Sequence, residues 1–326
     1  MIIRCVLLGL LATGCILSVS GSAQTQSYPN RTVRVIVPYA AGGSSDLLAR
    51  VIAEQLRQSL GQPVIIENRP GAGGNIGTEI VSRAQPDGYT ILAVGASVAI
   101  NPEFDSNSVD PIKGLKPIAA TAQIPIVIGG HPSIPVSTMK EFVAFTKANP
   151  GKYSYTPCTI RSASQLVVEV LKRDEGLDLP VISYSAGCSA AVPDMMSGRV
   201  PFFSQLLSTI RDLIDAKQLK AYAIVGDTRS LLLQDVPTTT EAGYPDMNIA
   251  SNWNGIFGPP ELPTEIVTKL NVEINKALSR PDVREKLNAQ YLEVIGGPPD
   301  KFSNMINTET LRFAKLVRDL GLANPK

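Results

Sequence analysis

The chain has 326 residues, 44% of them hydrophobic and 18% charged, with a formal charge of +1. That length suits about two domains of ordinary size, each able to bury a core. The near-neutral balance excludes a basic nucleic-acid footprint and a polybasic membrane patch.

Residues 1–23 stand apart. One positive charge, Arg4, precedes a nearly unbroken apolar run over 5–19, and Gly21-Ser22-Ala23 supplies the small residues a signal peptidase accepts. The run is shorter than the roughly 20 apolar residues of a membrane span, so it reads as a secretory signal peptide cut near Ala23. A second reading takes Ala12-Thr13-Gly14-Cys15 as a loose lipoprotein box with Cys15 lipidated. Cleavage after Ala23 removes Arg4 and takes Lys plus Arg from 30 to 29, matching the 29 acidic residues. Of the four cysteines, Cys158 and Cys188 then remain. In an oxidising compartment they can form a disulfide; otherwise they are two small buried residues.

In chain order, an apolar β-branched run (Val35, Ile36, Val37) stops at Pro38. The small-residue loop Ala40-Ala41-Gly42-Gly43 follows, and Ser44, Ser45 and Asp46 open an apolar-periodic helix. Side chains of that kind take up orphan N–H groups at a helix start. A strand, a bare loop and a helix N-terminus together favour an anion. Neither a P-loop nor a GxGxxG fingerprint is present at this turn. Val64 to Ile66 and Tyr89 to Val94 read as further strands, with a helix over about 78–84 between them. Such alternation predicts a parallel sheet covered by helices. Lys116 to Gly129 is a long apolar run broken by Pro125, suited to passing between domains.

A second α/β series follows. Strands are expected at 153–155, 180–184, 200–203 and 219–225, with helices over about 139–148, 163–172, 190–197 and 206–217. Trp253 to Phe257 reads as a strand recrossing to the first unit, and three helical segments close the chain. Five strand ends carry small or polar residues: 40–46, 95–98 (with Ala96 and Ser97), 156–162, 185–189 and 251–254. Ligands of open α/β sheets sit beyond such ends. A cleft between the two units is the expected site.

Catalytic groupings are missing. The single histidine, His131, lies in a Pro-rich loop, and GxSxG, HExxH and CxxC are absent. No nucleophile–base pair or metal-ligand spacing stands out, so binding is favoured over catalysis, with no cofactor.

Several motifs carry a family likeness. Val33 to Pro38, Gly42-Gly43-Ser44-Ser45-Asp46, the run from Glu67 to Gly77 (ENRPGAGGNIG), Pro86-Asp87-Gly88-Tyr89, Asp235-Val236-Pro237-Thr238 and Trp253-Asn254-Gly255 occur in that order. The chain resembles the Bug-type receptors of tripartite tricarboxylate transporters. The resemblance implies a periplasmic, type II-like periplasmic-binding-protein fold with two α/β domains and two crossing hinge strands. By its pattern, domain one is 24–124 plus 250–326 and domain two is 125–249. It implies a small organic carboxylate in the cleft, membrane transporter subunits as partners and no nucleic acid; we expect a monomer. The carboxylate would be held by the loops Tyr39–Asp46 and Thr156–Ser162, mainly through backbone amides and hydroxyls.

This chain departs from that pattern at Cys158-Thr159-Ile160-Arg161-Ser162, at Tyr184-Ser185-Ala186-Gly187-Cys188 and at Ser204-Gln205. Arg161 offers a guanidinium fork suited to a second ligand carboxylate, which favours a dicarboxylate. The other reading makes it a rim arginine. Tyr39, Tyr184 and Trp253 could face a ring or pack in the walls. A sensor docking on a signalling partner is the alternative function, and a Rossmann-type enzyme a further one.

Overall fold

The computed structural model describes residues 28–184, 188–248 and 252–323. The signal peptide, its cleavage point, Cys15 and Gly187 lie outside the described residues. No helix among the described residues is long and apolar enough to cross a membrane.

The first strand, β1 (Val33–Val37), is a β-branched run buried on both faces, as expected where helices cover both sides of a sheet. It leads into α1 (Ser44–Leu60), which buries Leu48, Ala49, Ile52, Ala53 and Leu56 along one stripe and stops at Gly61 in the left-handed region. Next come β2 (Val64–Asn68), α2 (Asn75–Ser82), β3 (Thr90–Gly95), the short α3 (Ser97–Ile100) and β4 (Lys116–Ile124). Pro125 separates β4 from β5 (Ile126–Gly130), and here the chain changes sheets.

The second unit continues with α4 (Met139–Ala148), which starts on a reciprocal capping box between Thr138 and Glu141. It then forms β6 (Tyr155–Pro157), α5 (Ala163–Glu175), α6 (Val192–Met196), β7 (Phe202–Leu206), α7 (Leu207–Asp215) and β8 (Lys220–Ile224). The chain returns through β9 (Asn252–Gly258) and ends with α8 (Thr264–Ser279), α9 (Pro281–Asn288), β10 (Glu293–Val294) and α10 (Pro299–Asp319).

Two sheets result. One runs β10-β4-β9-β3-β1-β2 and the other β6-β7-β5-β8. The fold is the two-domain α/β arrangement of periplasmic binding proteins. Neither sheet is wholly parallel, a correction to the sequence expectation. β1 pairs in parallel with β2 and β3, but β9 runs antiparallel to both β3 and β4. A strand that comes back from the second unit enters the first sheet from the opposite direction. Segment 180–184 forms no strand beyond an isolated bridge, Tyr155 to Val181. Pro180 has no N–H to give, and Val181 and Ile182 stay exposed.

Beside the hinge, further bonds join the two units. Glu293 accepts from Ser230, and Tyr291 donates to Asp212 at 3.0 Å. The Leu206 side chain packs against core residues of both.

Candidate functional site

A cleft of about 670 Å³ opens where the ends of β1, β3 and β9 face the loop after β6. This is the size of a small-molecule site. The first unit contributes the loop and start of α1 (Tyr39, Gly43, Ser44, Ser45), the loop before α2 (Ala72, Gly73, Asn75), the β3–α3 turn (Gly95, Ala96, Ser97) and a wall of Ile100, Asn101, Phe104 and Asp105. β9 adds Asn252 and Asn254. The second unit contributes one stretch, Thr159 to Ala163.

The walls are tied together by short polar contacts. Tyr39 Oη and Ser97 Oγ are 2.6 Å apart, and Ser45 Oγ donates to Asn254 Oδ1 at 2.6 Å. Desolvation raises the Tyr39 phenol above its ordinary pKa, against its hydrogen bonds to Ser97 and Gly95, so it stays neutral. Asn101 donates to the Gly73 carbonyl and to Asn75, and Asn75 donates to Asp105 and Ser108. Amides thus fix the spacing of three loops around the cavity. Neither α1 nor α5 has its N-terminus capped by a side chain, at Gly43 and Ser162 respectively. Both helix starts line the cleft, so their positive dipole ends and first-turn N–H groups converge on it from opposite units.

Arg161 and Asp105 are the formally charged residues of the lining. Arg161 reaches across: its guanidinium carbon lies 5.3 Å from the centre of the Phe104 ring in the other unit. Its backbone has a φ of +56°, in the left-handed region that few residues other than glycine adopt, and its N–H donates to Gln165 Oε1 at 2.6 Å.

Of the residues singled out from sequence, Tyr39, Gly43, Ser44, Ala96, Ser97, Thr159, Arg161 and Ser162 line the cleft. Ala40, Ala41 and Gly42 lie outside the lining; Gly42, with φ +85°, makes the turn instead. Asp46 is buried and turned inward. Its Oδ2 accepts from Gly42 N–H and Arg50, and its Oδ1 from Asn68. Burial alone would raise its pKa, but these bonds outweigh it and hold the carboxyl below its ordinary value. Asp46 therefore fastens the loop, and its burial closes it off from a ligand. Tyr184 donates to Asp194, which pairs with Arg199 at 2.9 Å. Burial first, then Asp194, pushes the Tyr184 phenol up to about 12. Ser204 and Gln205 are fully buried on β7 below the loop, and Ser204 Oγ and Gln205 Oε1 have no hydrogen-bond partner. Cys158 is buried behind the lining and bonded to Cys188 as a disulfide.

Trp253 is also turned away. Successive strand residues point to opposite faces, so Asn252 and Asn254 meet the cleft while Trp253 enters the core. There it packs on Phe302 and Phe257, with ring centres 5.7 and 6.3 Å away, and its indole N–H donates to Glu309. Burial pushes the Glu309 carboxyl up to about 7, against the pull of Trp253 and Arg312. Between its ordinary 4.5 and about 7 the folded chain therefore holds a proton that the unfolded chain has lost. Stability from this group is fully present below 4.5, falls as pH rises through that window and is gone above it. Melting temperatures at pH 5 and pH 8 are expected to differ more in the native chain than in Glu309→Gln, whose amide stays neutral; equal differences would contradict this.

Residues 48–322 match the Tripartite tricarboxylate transporter family receptor. Protein BugT of Bordetella pertussis is 32% identical over 306 residues, covering 93% of each chain. Among solved structures, the periplasmic binding protein BugD shares 31% identity at a TM-score of 0.77, over 91% of this chain and 100% of its own. The R. palustris protein Rpa4515, determined with adipate, shares 28% at 0.80, over 91% and 99%. With the two-sheet fold, the cleft at the strand ends and a match over most of the sequence, the chain belongs to the tripartite tricarboxylate transporter receptor family.

Proposed function

We propose that this protein is a periplasmic solute receptor that captures a small organic dicarboxylate and delivers it to the membrane subunits of a tripartite transporter. It binds and does not catalyse. The observation that carries the reading is the cleft itself, where two uncapped helix starts face each other and Arg161 stands at the far side. One carboxylate sits on the backbone amides of Ser44 and Ser45. The second meets the Arg161 fork, a charge-assisted contact with bidentate geometry. The adipate on the structural neighbour Rpa4515 is a ligand of this chemistry. The units are residues 24–124 with 250–326, and 125–249; they close as a monomer about the β4–β5 and β9 crossings.

A thermal-shift screen of the exported protein against aliphatic and aromatic mono-, di- and tricarboxylates and amino acids tests this. At a hundred times its Kd, a true ligand stabilises the fold by about 2.7 kcal/mol. Shifts confined to dicarboxylates are expected. No shift with any carboxylate would overturn the proposal.

A further inference from the structure

All residues that the second unit gives to the cleft, among those described, fall between Thr159 and Ala163, directly after Cys158. Cys158 is covalently joined to Cys188, thirty residues on, the first residue of a short 3-10 turn that precedes α6. We propose that this disulfide is the positioning element of the ligand-binding loop: it holds Thr159 to Ser162, and Arg161 with them, against the cleft. The proposal rests on the carboxylate-receptor reading.

The loop's seat is poor without it. Arg161 adopts a left-handed backbone that side chains disfavour. Just beneath, β7 places Ser204 in register with Pro157, and Ser204 Oγ and Gln205 Oε1 are buried with no partner. Polar atoms left buried and unpaired cost free energy, so these two give the neighbouring loop no hydrogen-bonded seat. Few bonds act in the other direction. Ser162 Oγ donates to the Thr159 carbonyl, Cys158 N–H donates to Ser164 Oγ, and Arg161 N–H donates to Gln165. All of these lie within the loop and the first turn of α5, so they shape it without anchoring it to the sheet. Apart from the Arg161 guanidinium resting on Phe104 of the first unit, the disulfide is the link that ties this stretch to another segment, and it is the covalent one. Reduction by a dithiol would transfer two electrons and two protons to the pair. That gives two thiols on the protein and a cyclic disulfide on the reductant.

The test compares the oxidised protein, the same folded protein treated with dithiothreitol, and a C158S/C188S variant. Hydrogen exchange is followed in peptides spanning 159–165, and adipate is the probe for affinity. Exchange at 159–163 is expected to rise at least tenfold in both altered forms, with peptides from β1 and β3 unchanged. The Kd for adipate is expected to rise at least tenfold. Unaltered exchange at 159–163 would overturn the tether. Faster exchange with an unaltered adipate Kd would overturn its role in ligand positioning. If the oxidised protein binds no carboxylate, the receptor reading fails, while the exchange measurement still decides the tether. Chemical reduction of folded protein covers the case in which the double variant does not fold.

Discussion

Trp253→Ala is expected to cost about 3–5 kcal/mol of folding stability, the range for removing a fully buried large aromatic side chain. Trp253 has no exposed surface and lies on β9, the strand between β3 and β4. Its ring meets Phe302 edge-on and touches Phe257, so truncation opens a cavity between the first sheet and α10. It also removes the N–H donor of Glu309. Glu309 then sits in the same apolar surroundings with one bond fewer, and a buried acceptor without a donor adds to the loss. Trp253→Phe keeps most of the packing and is expected to lose less. Trp253 is the chain's only tryptophan, so its fluorescence vanishes with the substitution and circular dichroism must report the denaturant midpoint. A loss below about 1 kcal/mol would show that the aromatic cluster relaxes to fill the space.

Arg161→Ala is expected to weaken binding of a dicarboxylate at least tenfold and up to about a hundredfold, with little change in melting temperature. Hydrogen bonds to charged groups are worth about 1.5–3 kcal/mol, which sets that range. Stability should hold because the guanidinium is exposed and its contact is one face of Phe104. Arg161→Lys keeps the charge but loses the fork, and should fall between the two. Arg161→Gly separates backbone from side chain: it relieves the left-handed strain while removing the guanidinium. Calorimetry on all three decides the matter. A loss well under tenfold in Arg161→Ala would assign Arg161 to the rim.

Much of this was legible in the sequence, and most of the failures share a cause. The run Val35-Ile36-Val37, the bare loop and the serine-rich helix start announced one wall of the cleft, because each signal is local. Pro125 marked the change of sheet for the same reason. Asp46 looked like a helix-start acid near a ligand. Its occupation by Asn68, Arg50 and Gly42 depends on β2 lying beside β1, which no local pattern states. Asn75, Asn101, Phe104 and Asp105 were missed because they come from segments without periodicity and converge only in three dimensions. Trp253 is different: Asn252-Trp253-Asn254 alternates polar, apolar, polar, and that local pattern by itself puts the indole inside.

The position of β9 bears on the order in which the molecule is built. It fills the gap between β3 and β4, yet it follows every strand of the second sheet in the chain. A polypeptide emerging amino end first completes β5 to β8 before that gap can be closed. The apolar, alanine-rich edge of β4 and the edge of β3 stay unpaired meanwhile, and open edges of that sort recruit foreign strands. The folding chain is therefore most prone to aggregate before β9 takes its place. Cut after residue 248, it would retain every strand of the four-stranded sheet but lack β9 and β10 of the six-stranded one.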